Sequence, residues 1–193
     1  TVAAAEQTFG YPSSPFPGIR LRAGGRMLTV AGKIDRVDRS GEYTRVVDYK
    51  TGAFDVSIEP YYTGRKLQLE LYLSASSAGG RAAGAYYFPA GAPFHAEGEE
   101  PYRMQGFTLG EDEVIRMNDS AVEEGQKSRF IDAYYRGRKT KNCLPPEQFS
   151  DFLEYATLVS DPPTSSSRTT PLPTHPPLPP TPPPAPPSPP PAP

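Results

Sequence analysis

Seventeen of the 26 prolines in this 193-residue chain fall between Pro162 and Pro193, and that split decides what can fold. The same stretch holds no aromatic side chain and only Arg168 as a formal charge. Such a segment cannot bury enough apolar surface to offset the entropy of ordering. Residues 162–193 are therefore expected to form a disordered, Pro-rich tail of polyproline II character. Residues 1–161 keep the aliphatic and aromatic side chains and are long enough for one domain with a real core.

Several classes of function drop out. No run of about 18 apolar residues exists, so no membrane span or membrane partner is expected. The opening Thr1-Val2-Ala3-Ala4-Ala5-Glu6 lacks the basic and apolar regions of a secretory signal. It also lacks a Met, which reads as a domain truncated at its N-terminus. The single Cys143 cannot form an internal disulfide, which points to a reducing cytoplasm. The formal charge of −2 leaves no overall electrostatic footprint for nucleic acid, so such a partner would need local charge or a bound cation.

Residues 1–26 read as an extended, turn-laden approach, with Tyr11-Pro12-Ser13-Ser14-Pro15 at its centre. From Met27 the pattern has period two: Leu28, Val30, Gly32 and Ile34 alternate with Thr29, Ala31, Lys33 and Asp35, as in a strand. Arg39-Ser40-Gly41-Glu42 reads as a turn, and Tyr43 to Tyr49 as a second strand completing an antiparallel hairpin. Leu67, Leu69, Leu71 and Leu73 also alternate, but their Gln, Glu, Leu and Ala neighbours favour a mostly buried helix over 66–77. Gly84 to Phe88 reads as a short strand, and Glu111–Glu124 and Pro146–Ser160 as amphipathic helices. The order β-β-α-β-α-α makes the domain α/β or α+β.

Three of these pieces carry chemistry. The first strand supplies Asp35 and the second supplies Asp48 and Lys50, which share a face because they are two residues apart. Gln68 and Tyr72 are spaced i,i+4 on one side of the helix. Two carboxylates on adjacent strands suit a hard divalent ion such as Mg²⁺. Such an ion lowers the pKa of bound water and polarises a phosphoryl oxygen, and a lysine beside it would orient the water or neutralise growing charge. The set is right for phosphodiester hydrolysis. Taken alone, Asp48 and Lys50 fit an ordinary solvated strand face better than a site; the β-branched strand, the following Thr51-Gly52 and the second Asp argue against that.

The run Gly-x-Ile-Asp-Arg-Val-Asp from Gly32, then Val-Val-Asp-Tyr-Lys-Thr-Gly from Val46, then Leu-Gln-Leu-x-Leu-Tyr-Leu from Leu67 resembles the PD-(D/E)XK nucleases of the RecB type. More narrowly it is similar to the nuclease domains of AddB-type helicase–nuclease subunits, over about Phe9 to Val159, including Tyr86-Tyr87-Phe88-Pro89 and Arg103-Met104-Gln105-Gly106-Phe107. The resemblance implies a restriction-endonuclease-like mixed sheet flanked by helices. It makes Asp35, Asp48 and the backbone carbonyl of Tyr49 metal contacts, Lys50 the catalytic lysine, and Gln68 and Tyr72 supports of the site and the scissile strand. It gives Asp38 no such role. It implies an Mg²⁺-dependent DNA exonuclease acting on unwound ends in double-strand break repair and recombination, beside an AddA-like partner subunit.

The chain departs from that pattern in three places. The family carries a further metal-ligating His on a helix before the first strand; His95 reads as a loop residue and His175 lies in the tail. It also carries a 4Fe–4S cluster on four cysteines, and Cys143 alone cannot hold one, so none is expected. No Gly-x-x-x-x-Gly-Lys-[Ser/Thr] occurs, so no ATP site is expected in these residues. Two other functions remain open on the sequence: a catalytically incomplete domain that only contacts DNA or a partner subunit, and a polyproline ligand presented by the tail.

Overall fold

The computed structural model describes residues 1–23, 25–52, 56, 66–91 and 103–158. The tail at 162–193, His95 and His175 lie outside the described residues. In chain order the elements are β1 (Val2–Phe9), β2 (Ile19–Ala23), β3 (Arg26–Val30), β4 (Gly32–Ser40), β5 (Tyr43–Lys50), α1 (Gln68–Ser76), β6 (Arg81–Pro89), β7 (Gln105–Leu109), α2 (Asp112–Asn118), β8 (Cys143–Leu144) and α3 (Pro146–Leu158).

Six strands form one mixed sheet in the order β1-β4-β5-β6-β7-β8, and β2 and β3 pair separately. The expected hairpin is β4–β5, closed by the two residues Gly41 and Glu42 between the paired Ser40 and Tyr43. Gly41 has φ 56°, the positive value a two-residue hairpin turn wants at its first central position. β5 then pairs with β6 in parallel, which requires a crossover, and α1 lies within it. The segment with alternating leucines is thus a helix, and Leu69 and Leu73 are fully buried by it. Burying each stabilises the domain by about 2 kcal/mol.

The sheet has a core on each face. On one side Ile34, Val37, Val46, Ala85 and Phe107 pack with Leu69 and Leu73 of α1 and Phe149 of α3. On the other, Val47 and Tyr86 meet Ile115 of α2 and Val122, Ile131, Ala133 and Tyr135 of the segment that follows it. This is the mixed α/β sheet flanked by helices that the resemblance implied.

Local boundaries differ from the sequence reading in four places. Residues 1–26 contain two strands. β1 has three successive alanines and little alternation, so its strand state comes from pairing with β4 rather than from its own propensity. The run from Met27 is two strands, because the chain leaves the β2–β3 pair at Ala31 and enters the main sheet; period-two alternation continues across the junction and hides it. The helix expected over 111–124 ends at Asn118, whose side-chain amide donates back to the Val114 carbonyl at 2.8 Å, the local competition typical of Asn near a helix end. β7 and the two-residue β8 had no strand pattern strong enough to read.

Glu70 is 1% exposed and neither carboxyl oxygen has a hydrogen-bond partner among the described residues. Burial pushes its pKa up to about 8. Between the ordinary value of about 4.3 and that folded value, the folded chain holds a proton the unfolded chain has lost. Stability therefore falls as pH rises through that window. Glu70→Met removes the carboxyl at similar volume, and its thermal midpoint at pH 8 should exceed that of the unaltered chain by several degrees, on the order of 2 kcal/mol. The gap should narrow steadily as pH falls toward 4; equal midpoints at pH 8 would show the carboxyl to be satisfied.

Candidate active site

Strand alternation delivers the site. Val47 enters the α2-side core, so Val46 and Asp48 face α1 and Lys50 follows on that same face. Asp48 is 4% exposed, and Lys50 Nζ lies 2.6 Å from its Oδ2. Gln68, the first residue of α1, joins both. Its Oε1 accepts from Lys50 Nζ at 3.4 Å, and its Nε2 donates to Asp48 Oδ1 at 3.4 Å and to the Tyr72 hydroxyl at 2.9 Å. The Tyr72 ring stands edge-on to Phe9 at 5.6 Å, so β1 steadies the far end of this chain of contacts. The Lys50 ammonium also sits 5.1 Å above the ring of Tyr87, the β6 residue in register with Asp48.

Asp35 joins from the neighbouring strand. The last registered pair of β4 and β5 at this end is Arg36 with Val47, so one further step brings Asp35 abreast of Asp48. There the Asp35 Oδ2 accepts the Tyr49 backbone N–H at 3.0 Å. Burial raises the Asp48 carboxyl above the ordinary range, Lys50 pulls it back, and the Asp35 charge adds to the rise. The Tyr49 side chain turns to the opposite face, where its hydroxyl takes a hydrogen bond from Arg36 at 3.3 Å.

All six residues singled out in the sequence, Asp35, Asp48, Tyr49, Lys50, Gln68 and Tyr72, thus meet at one end of β5. Asp38 does not. It is buried between Arg36, at 2.8 Å, and Arg45, at 2.8 Å, and both oxygens are occupied. Burial opposes its ionisation, but the two guanidinium groups hold it below the ordinary range. Cys143 lies on β8 at the far edge of the sheet, and burial pushes its thiol up to about 11, so it is no nucleophile at neutral pH. Sequence reasoning missed Phe9 and Tyr87; Tyr87 was recoverable, since its strand was recognised and only its register with Asp48 was lacking.

The donors fit a hard cation. Asp35 and Asp48 offer carboxylate oxygens, and the Tyr49 carbonyl between Asp48 and Lys50 is a third oxygen of the same kind. Two carboxylates here face one ammonium, and a divalent ion would offset the burial that, with the Asp35 charge, raises the Asp48 carboxyl. Among the described residues no group of three or more His, Cys, Asp or Glu gathers that could hold a metal. The candidate set is therefore two carboxylates and backbone oxygen, with water completing the shell.

The chain matches the family model of the PD-(D/E)XK nuclease superfamily over residues 1–158. Its relatives include proteins named as the B-type member of an ATP-dependent helicase/deoxyribonuclease. The one from Carboxydothermus hydrogenoformans is 32% identical over 163 residues, covering 71% of this chain and 15% of that protein. The one from Desulforudis audaxviator is 33% identical over 155 residues, covering 67% of this chain and 13% of its own length. A third, from Symbiobacterium thermophilum, is 35% identical over 145 residues, covering 61% and 12% respectively. The chain thus spans about a seventh of the length of these relatives.

Calcium, which binds oxygen donors without supporting most Mg²⁺ chemistry, should bind this site in calorimetry more weakly as pH falls through the raised Asp48 value. The fall should approach about tenfold per pH unit for one competing proton. Asp48→Asn should weaken binding at least about tenfold and flatten the profile; an unchanged profile would place the ion elsewhere.

Proposed function

The chain belongs to the PD-(D/E)XK nuclease superfamily, and from that premise we propose that it is a divalent-metal-dependent deoxyribonuclease domain hydrolysing phosphodiester bonds of unwound DNA. The observation that carries this reading is the continuous set of contacts Asp48–Lys50–Gln68–Tyr72, with Asp35 beside it.

Asp35, Asp48 and the Tyr49 carbonyl would hold the ion, with Mg²⁺ the fitting choice for an all-oxygen set. When bound, it supplies a lowered water pKa and a polarised phosphoryl oxygen. The chain's own residues do the rest. Lys50 Nζ donates toward the non-bridging oxygens, where negative charge grows as water adds to phosphorus. One P–O ester bond breaks, the attacking water gives up a proton, and the departing sugar oxygen takes one up. Gln68 fixes the Lys50 ammonium and the Asp48 carboxylate in one geometry, so neither must reorganise during reaction. Tyr72 orients the Gln68 amide by accepting from Nε2, which leaves Oε1 turned toward Lys50.

The name the relatives carry supports a wider setting. On that name we read this domain as the deoxyribonuclease part of an ATP-dependent helicase–nuclease, and we extend the proposal to an exonuclease of double-strand break repair and recombination in the cytoplasm, with an AddA-like protein as its partner. These residues carry no phosphate-cradling loop, so ATP turnover belongs outside them. Cys143 is one cysteine where a 4Fe–4S cluster needs four, so the proposed chemistry runs without a cluster on these residues. Among the described residues no helix is long and apolar enough to cross a membrane.

The 193-residue chain should shorten 5′-labelled single-stranded DNA in Mg²⁺. Lys50→Ala and Asp48→Asn should lower the rate at least about a hundredfold, with an unchanged circular dichroism spectrum. Gln68→Ala should cost about tenfold, chiefly in kcat. Equal cleavage by the unaltered chain and Lys50→Ala would remove the assignment, and DNA binding without Mg²⁺-dependent cleavage would leave a contact domain.

A further inference from the structure

Between Lys127 and Lys141 the chain sets six cationic side chains against the single carboxylate of Asp132, and interleaves Phe130, Tyr134 and Tyr135. The nuclease site uses none of them. In a chain of net charge −2 this is a marked local excess.

The segment is folded back on itself and pinned. Ser128 N–H donates to the Ala133 carbonyl at 2.9 Å, Tyr135 N–H to that of Gln126 at 3.0 Å, and Lys127 bridges Tyr134. Ser128, Ile131, Ala133 and Tyr135 are buried, which commits the intervening side chains to the outside. Asp119, itself 2% exposed, takes the Arg129 backbone N–H at 3.0 Å and anchors the fold-back to the end of α2. Beyond it Thr140 Oγ1 donates to the Asp132 carbonyl at 2.5 Å, and buried Tyr135 and Asn142 bracket the stretch that carries Arg138, Lys139 and Lys141.

Three of the six are neutralised: Lys127 by Asp132, Arg129 by Asp119 and Arg136 by Asp112. Arg138, Lys139 and Lys141 are exposed and meet no carboxylate among the described residues. Arg138 lies 4.6 Å above the Tyr134 ring and donates to its hydroxyl, so a flat aromatic face and a guanidinium stand together. Tyr134, Arg136, Arg138 and Lys139 line a cleft of about 210 Å³. Phosphates are bound by exposed, uncommitted cations, and bases of a single strand stack on aromatic faces.

We propose that this platform is a second nucleic-acid contact: Arg138, Lys139 and Lys141 take the phosphates of a single strand, and Tyr134 stacks one of its bases. The identification of that strand as the DNA being degraded rests on the nuclease reading above.

Binding of a fluorescent oligothymidylate of about 20 nucleotides to the full chain, followed by anisotropy in EDTA across a salt series, tests it without cleavage. The triple variant Arg138→Gln, Lys139→Gln, Lys141→Gln should bind about tenfold more weakly at about 50 mM salt. Its log–log salt slope should be shallower by about two, for three phosphates at about 0.7 each. Tyr134→Ala should bind at least about fivefold more weakly with the slope retained. No binding by the unaltered chain, wild-type affinity and slope in the triple variant, or equal competition by polyglutamate would each overturn the proposal. If cleavage depends on Lys50 while the triple variant binds like the parent, the nuclease reading stands and the platform falls. The converse result keeps the platform and removes the nuclease.

Discussion

β5 runs between two cores, with Val46 packed against α1 on one side and Val47 against the α2 segment on the other. A strand held on both faces cannot slip by one residue, because the slip would carry every side chain to the wrong side. That constraint sets the chemistry. With Val46 and Val47 fixed, Asp48 and Lys50 must face α1, and the Tyr49 side chain must face away. The parallel β5–β6 pairing adds the second half, since the crossover it demands includes α1, whose first residue, Gln68, touches both functional groups.

Asp35 and Asp38 lie three residues apart on one strand, yet only one belongs to the site. The difference is in the ladder. Asp38 sits opposite Arg45 within the registered β4–β5 pairs, and Arg36 and Arg45 close on it from both sides. Its ionised form is fully satisfied by protein, so it has nothing left to offer an ion. Asp35 lies just past the last registered pair, where the opening between strands lets its carboxylate reach the Tyr49 N–H. One hydrogen bond orients it, and its other oxygen accepts no hydrogen bond shown among the described residues. Burial thus makes one aspartate a structural clamp, and the end of the ladder turns the other toward the site.

Much of this was legible in the sequence. Side-chain alternation alone placed Asp48 with Lys50 and separated them from Val47 and Tyr49, and i,i+4 spacing put Gln68 with Tyr72. What was not legible depends on partners distant in sequence. β1 is a strand because β4 lies beside it, and its alanines carry no strand signal of their own. The break at Ala31 is a change of sheet that leaves the period intact, and β8 is two residues long. Tyr87 could be recognised as a strand residue but not as the floor under Lys50, because register across a parallel crossover is a tertiary property. The burial of Glu70 was likewise hidden, since its neighbours in sequence do not show which side of α1 is covered.

The charge distribution bears on how such a site could hold its substrate. Asp35 and Asp48 give the end of β5 two negative charges against Lys50, so before any ion binds, the site itself repels a phosphate backbone. Affinity for a polyanion must then come from cations elsewhere on the surface. A net charge of −2 says little about that, because screening limits each phosphate to charges within about 8–10 Å at physiological salt. What a strand meets is the local arrangement, and there Arg138, Lys139 and Lys141 stand exposed with no carboxylate beside them among the described residues. Buried Tyr135 and Asn142 bracket them, which limits the ordering entropy lost when a strand settles there. On the proposals above, the carboxylates at the end of β5 would be arranged for an ion, while the fold-back after α2 would supply the attraction they cannot.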